Sequence, residues 1–348
     1  MKKFVSALLI ACTACMLAAC GEKPAGEQKT VINVYNWGDY VAPGVVEKFE
    51  EEFGIKVNYE ECSSNEEMLT KIETGGTSYD VILPSDYMIE TMRNRNLLME
   101  LDYSNIPNFA NIGEQFKGLA YDPDQKYTVP YNWGTMGILY DTKKVTEPVD
   151  SWDILWNPKY RGQIIMLDTP RDTIGITLKK LGYSLNSKNV KELEEAKQAL
   201  MDQKELVKSY EVDTHKAQMI AGEAAMSLAW SGDAMMVISE NPDMAYAIPK
   251  EGTNFWVDAW VIPVTAKHKK EAEMFINFMM RPDIAFENAD YIKYATANAE
   301  AVKLLPKEVQ NNELMYPKTP IGEIGESFAD MGEFTTEYDR VWTEIKAY

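Results

Sequence analysis

Apolar and polar positions alternate along this chain in two different periods, and the switches between them mark out its elements. Val31 to Trp37 is an extended, β-branched run that reads as a strand. Pro43 then opens a stretch with Val45, Val46, Phe49 and Phe53 on one face of a helix, which Gly54 ends. Lys56 to Cys62 reads as a second strand, and Asn65 is placed to cap a helix over Glu66 to Glu73, stopped by Gly75 and Gly76. Tyr79 to Pro84 predicts a third strand and Asp86 to Asn96 a third helix. This strand–helix rhythm argues for an α/β fold with parallel strands covered by helices on both faces.

A second α/β stretch follows Tyr131. Trp152 to Trp156 predicts a short helix and Gly162 to Asp168 a buried strand; Asp172 to Leu181 and Lys191 to Met201 predict helices. Ala224 to Trp230, Met244 to Pro249 and Phe255 to Pro263 read as strands. A helix over Lys269 to Met280, a turn at Pro282 and an amphipathic helix over Tyr338 to Ile345 complete the pattern.

The first thirty residues follow neither period. Lys2 and Lys3 precede an apolar run from Phe4 to Leu17, which is short for a membrane span and has the shape of a signal-peptide core. It runs into Leu17-Ala18-Ala19-Cys20-Gly21, which resembles a lipobox: residues 1–19 are expected to leave as a signal peptide, and Cys20 to carry lipid. Residues 20–30 are polar, include Pro24 and Gly26, and suit a flexible tether. The expected address is extracytoplasmic, lipid-anchored to the cell membrane, in a periplasm or on a cell surface.

Cysteine and charge narrow the chemistry. Cys12 and Cys15 lie in the leader, so Cys62 is the one thiol left to the mature domain, and an internal disulfide has no second partner. The net charge of −19 becomes about −21 without Lys2 and Lys3. No basic cluster tracks a phosphate backbone, so nucleic acid is not expected as a partner, and an acidic body favours cations. His215 and His268 are the only histidines; both lie among charged residues and are expected at the surface. Neither a zinc site nor a Cys/His pair has support, and Gly75-Gly76-Thr77 lacks the lysine and spacing of a phosphate loop. Catalysis is therefore the poorer reading; no cofactor and no metal are expected, and the chain is expected to be a monomer.

Aromatic and acidic residues recur together at predicted strand ends: Tyr35-Asn36-Trp37-Gly38-Asp39-Tyr40, Pro84-Ser85-Asp86-Tyr87, Trp230-Ser231-Gly232-Asp233 and Phe255-Trp256-Val257-Asp258-Ala259-Trp260. In open α/β sheets ligands lie beyond the carboxyl ends of strands, so these segments can converge on one cleft. A single Trp or Tyr is more often core than ligand wall, but recurrence at four strand ends weakens that reading. An alkylammonium leaving water loses several kcal/mol of solvation unless a carboxylate and hydrogen bonds replace it. Aromatic faces add about 0.5–2 kcal/mol each through cation–π attraction and cover methylene groups. A flexible diamine or triamine needs both features.

Beyond these residues, whole segments match a known family. YNWGDYVAPGVVEKFEEEFGIKV from Tyr35, SYDVILPSDYMIETMR from Ser78, YTVPYNWGTMGI from Tyr127, SWDILWNPKYRGQI from Ser151, LKKLGYS from Leu178, FWVDAWVIP from Phe255, INFMMRPDIA from Ile276 and YATAN from Tyr294 resemble the spermidine/putrescine-binding proteins of bacterial ABC importers. Trp37 with Tyr40, Ser85 with Tyr87, and Trp256 with Asp258 are the pairs most particular to that branch. The resemblance implies a two-lobe, type II periplasmic-binding-protein-like α/β fold, with residues 31–131 plus 258–301 in one lobe and 132–257 plus 302–348 in the other. Hinge strands would lie near Trp133 to Leu139 and Asp258 to Pro263. It implies a polyamine, putrescine and/or spermidine, trapped between the lobes and handed to permease subunits.

The same resemblance implies roles for single residues. Trp37, Tyr40, Tyr87, Trp230, Trp256 and Tyr294 would wall the carbon chain; Asp172 and Asp258 would meet the ammonium groups; Ser85 would hydrogen-bond a terminal amine; and Asp39 would reach an amine directly or through water. Asp86 and Trp260 would be structural. Two departures bear on ligand length: Thr169 stands where spermidine-preferring relatives place a second carboxylate, and Ser327-Phe328 where they place a glutamine. A same-fold binding protein for another organic cation or an amino acid derivative, a polyamine-sensing lipoprotein, and an enzyme remain as alternatives.

Overall fold

The computed structural model describes residues 30–348. The signal peptide, Cys20 and most of the tether expected above lie outside the described residues.

In chain order the strands are β1 Val31–Trp37, β2 Lys56–Cys62, β3 Val81–Ile82, β4 Val129–Asp141, β5 Ile164–Leu167, β6 Val207–Glu211, β7 Met226–Trp230, β8 Met244–Ala247, β9 Thr253–Trp260, β10 Ala295–Thr296 and β11 Gly325–Glu326. The helices are α1 Val45–Phe53, α2 Asn65–Thr74, α3 Asp86–Asn94, α4 Pro170–Lys180, α5 Val190–Gln203, α6 His215–Ile220, α7 Ser231–Glu240, α8 Lys269–Met279, α9 Pro282–Ile292, α10 Ala299–Val302, α11 Lys307–Gln310, α12 Ile321–Ile324 and α13 Thr335–Ala347.

Strands β2, β1 and β3 form a parallel sheet in that order, the outcome expected of the strand–helix rhythm. A larger sheet runs β11-β9-β4-β7-β5-β6, with β8 and β10 also paired to β4. Here β4 is decisive. Its first half, from Val129 to Thr135, pairs antiparallel with β9; its second half, from Met136 to Tyr140, pairs with β7. A thirteen-residue strand buried at twelve of its positions cannot be read by alternation, because both of its faces are covered.

The buried apolar side chains fall on either side of this crossing. One core joins residues between Ile32 and Trp133 to residues between Trp256 and Ala297. Three others draw on β4 from Met136 onward, β5 and β7, the α6–α7 region with Met315, and the α4, α5 and α13 helices.

Several elements depart from the sequence reading. Ser64, not Asn65, caps α2, accepting from the Glu67 N–H at 3.1 Å, while Asn65 is its first residue. Pro282 starts the helix α9 instead of a turn, because its fixed φ suits the first helical position. The strand expected over Tyr79 to Pro84 narrows to Val81 and Ile82. Trp152 to Trp156 is a 3-10 turn. The largest correction is His215, which is fully buried although its sequence neighbours are charged, because only one side of the short helix α6 faces water. His268 is half-buried ahead of α8.

Asp80 locks the small sheet to the α8 side of its core. Its fully buried carboxylate accepts the Asn33 N–H on Oδ2 and the Lys267 and His268 N–H groups on Oδ1, each at 2.9 Å. Asp80→Ala strands three backbone donors, and urea unfolding is expected to show a loss of about 3 kcal/mol.

Candidate functional site

The site begins with β9, whose alternation sends Trp256 and Asp258 to one side. Both are buried, with Asp258 only 4 % exposed. Opposite them on β4 stand Gly134 and Asn132. Gly134 is required there: a Cβ would lie 2.6 Å from the Trp256 ring and from Ser231 Oγ. Asp258 Oδ2 accepts the Tyr40 hydroxyl at 2.7 Å, while Oδ1 is buried without a hydrogen-bond partner among the described residues. Burial pushes the Asp258 carboxyl up to about 6, with Tyr40 and Ser85 pulling the other way.

Ser85 is brought alongside by an antiparallel bridge with Asp258. Asn65 fixes it, accepting the Ser85 N–H at 3.0 Å and donating to Ser85 Oγ at 3.1 Å. The walls are aromatic. Tyr294 lies 5.7 Å from Tyr40 and 5.2 Å from Trp256 between ring centroids. The Tyr131 hydroxyl donates to the Tyr40 carbonyl at 3.0 Å and so anchors the Tyr40 segment. Trp37 closes β1, half-buried, with its indole N–H unpartnered among the described residues.

The second carboxylate comes from the other side of the crossing. Asp172 is half-buried in the first turn of α4, which Pro170 starts. Burial raises its carboxyl to about 6, against the lowering effects of Thr169, Arg171 and the Trp230 indole, while Glu66 adds to the rise. Trp230 is the half-buried residue ahead of α7. Tyr87 reaches across: its hydroxyl donates to Glu66 at 3.0 Å, and its ring meets Phe328 edge-on at 6.1 Å, with the Arg171 guanidinium 5.5 Å away. Beside them the Asp330 N–H donates to Glu90 at 2.8 Å and the Asn94 amide to Asp330 at 3.1 Å. Groups from the two sides thus touch directly.

Of the expected site residues, Tyr40, Ser85, Trp256, Asp258 and Tyr294 meet one another, and Asp172 meets Trp230 on the other side of the crossing. Asp39 does not join the buried group; it is exposed at a turn with a left-handed φ of 54°. Asp86 and Trp260 are core groups, as the sequence reading favoured. Asp86 is buried, accepts the Tyr87 N–H on Oδ1, and has its carboxyl raised well above the usual range by burial. Trp260 packs on Tyr131 and Phe275. Asp233, quoted in a strand-end motif but not assigned a role, accepts the Tyr294 hydroxyl at 3.0 Å. Burial acts to raise its carboxyl, yet His215, Lys216 and Tyr294 together hold it below the ordinary range. No local sequence signal marks His215, Glu66 or Arg171, since their contacts come from distant segments. Among the described residues no group of three or more His, Cys, Asp or Glu is placed to hold a metal ion.

A buried carboxylate with a raised pKa costs stability where it is ionised. The Asp258 penalty grows as pH rises from about 4 to about 6 and is complete above that. Asp258→Asn keeps the acceptor for Tyr40, so urea titrations at pH 7.5 without ligand are expected to show it about 2 kcal/mol more stable than the parent chain. The gain is expected to vanish near pH 4.

Comparison with known proteins adds an independent finding. The family model for the bacterial extracellular solute-binding proteins matches residues 44–317. The chain is 35% identical over 315 residues to the spermidine/putrescine-binding periplasmic protein of Salmonella typhimurium, covering 90% of each. A putative spermidine/putrescine ABC transporter structure from Listeria monocytogenes superimposes with a TM-score of 0.89 at 42% identity, over 92% of this chain and 100% of that one. The substrate-binding protein of a spermidine/putrescine ABC transporter from Streptococcus pneumoniae gives 0.80 at 39% identity, over 92% and 99%.

Proposed function

Because the chain belongs to the bacterial extracellular solute-binding proteins, with their α/β periplasmic-binding-protein-like fold, we propose that it is the substrate-binding subunit of an ABC importer and captures a polyamine. The observation that carries the ligand class is the Asp258 carboxylate: buried, one oxygen held by Tyr40, the other without a hydrogen-bond partner among the described residues, and beside the rings of Tyr40, Trp256 and Tyr294. A buried charge persists only if something repays its desolvation. An alkylammonium does so with charge and N–H donors, while the rings take its methylene groups.

In this reading residues 31–131 plus 258–301 and residues 132–257 plus 302–348 are the two lobes, a division supported by the separate cores on either side of β4. Asp258 and Asp172 lie on opposite lobes, so a diamine spanning them favours closure by contacts to both at once. Trp37, Tyr87 and Trp230 extend the walls, Ser85 supports an amine, and Asp39 acts from the rim. The closed form docks on permease subunits. Phe328 is buried against Arg171 and Tyr87, so it offers no amide to a third amine; with Thr169 this favours putrescine over spermidine. Residues 1–19 act as the signal peptide and lipidated Cys20 anchors the mature chain through the tether. Cys20→Ala is expected to move the protein from the membrane to the soluble fraction.

Calorimetric titration of the ligand-stripped protein tests the assignment. Putrescine is expected to bind with about −8 kcal/mol or better, and more tightly than spermidine; no heat and no thermal shift with either amine sinks the reading. The pH dependence has a defined sign. Asp172 and Asp258 have pKa values of about 6 before ligand arrives, and an ammonium favours their ionised forms. Affinity is therefore expected to hold above pH 7 and to fall by about tenfold per carboxylate by pH 5, with proton release on binding near pH 6.

A further inference from the structure

His215 is one of two histidines in the chain and is completely buried. Its ring is fixed on both edges: Nε2 lies 3.0 Å from Asp233 Oδ2, and Nδ1 lies 3.3 Å from Ser227 Oγ. The Asp233 carboxylate accepts only, so Nε2 donates to it. Asp233 Oδ1 in turn takes the Tyr294 hydroxyl at 3.0 Å, with Lys216 Nζ 3.6 Å away. Tyr294 belongs to the core that holds Tyr40 and Trp256, whereas His215, Ser227 and Asp233 sit on α6, β7 and α7 across the β4 crossing. Gly232 lets the ring lie flat on the start of α7; a Cβ there would come within 2.3 Å of the Tyr294 ring.

A carboxylate left alone in this place would be free to turn. Held at one oxygen by His215, it presents the other at a fixed point to a phenol from the opposite lobe. The Tyr294 ring is also in contact with Tyr40 and Trp256, beside the Asp258 carboxylate. We propose that His215 is a positioning residue for ligand capture: through Asp233 it catches the Tyr294 hydroxyl when the lobes meet, and so sets how long the bound amine is retained. The proposal rests on the two-lobe capture reading above. Because the catch forms only after the lobes meet, it governs release and leaves encounter unchanged.

The test is stopped-flow kinetics with putrescine on the full mature chain. His215→Leu is expected to raise koff about tenfold with kon within about twofold of the parent; Tyr294→Phe, which alters a wall of the site itself, is expected to raise koff about tenfold. The double variant is expected to be no faster than either single, because both break one chain of contacts. His215→Gln keeps an amide donor for Asp233 and is expected to recover slow release. Where the Leu variant does not fold, His215→Ala takes its place in the same cycle. An unchanged koff in a folded His215 variant overturns the proposal, as does a double variant whose koff is the product of the two single effects, about a hundredfold. Absence of putrescine and spermidine binding by the parent chain instead overturns the capture reading itself.

Discussion

A single buried carboxylate organises much of this molecule. Asp258 is ionised at neutral pH only at a cost, because burial among aromatic rings and strand backbone outweighs the help of the Tyr40 and Ser85 hydroxyls. The neighbouring choices follow from that cost. Gly134 clears space for Trp256, Tyr131 pins the Tyr40 segment, and Asn65 fixes the backbone and hydroxyl of Ser85. None of these contacts neutralises the charge. They hold an acid and several aromatic rings in one place, a combination that suits a cation with an apolar body better than a sugar or an anion.

The second constraint is mechanical. Strand β4 gives one half of its length to β9 and the other to β7, so the two groups of cores share a continuous backbone ladder. Asp258 and Asp172 lie on opposite sides of that ladder. Direct contacts already bridge the sides, among them the Tyr294 hydroxyl to Asp233 and the Tyr87 ring to Phe328 and Arg171. The first is a hydrogen bond to a carboxylate and the second an edge-on ring pair with a guanidinium beside it. Such contacts are individually modest, about 1–3 kcal/mol, which suits a cleft that must also open.

Four buried or half-buried aspartates show how environment separates identical chemistry. Asp86 is driven towards its neutral form by burial, Asp233 is held ionised by His215, Lys216 and Tyr294, and Asp172 and Asp258 lie between these extremes at about 6. Only the last pair combines ready ionisation with no protein cation fully committed to it, although Arg171 stands beside Asp172. What separates acids committed to the protein's own contacts from acids left available to a cation is therefore who else is nearby.

That distinction also separates what could be read from the chain and what could not. The strand–helix rhythm from Val31 to Asn94 follows from periodicity, since α1, α2, α3 and the outer strand β2 each keep an exposed face, while β1 and β3 read as short apolar runs between them. The pairing of Trp or Tyr with Asp at strand ends was legible for the same reason: strand ends in such folds point to a common edge. Boundaries set by caps were less so, as Ser64 and Pro282 show. The long β4 escaped periodicity because both of its faces are buried. Local sequence determined the elements, the aromatic and acidic inventory, and the convergence of strand ends. Tertiary structure alone decided that exposed-looking His215 is buried against Asp233, that Asp39 stays at the rim, and which oxygen of Asp258 lacks a protein partner. Those outcomes depend on contacts between residues tens to hundreds of positions apart, and burial, unlike periodicity, is not a local property.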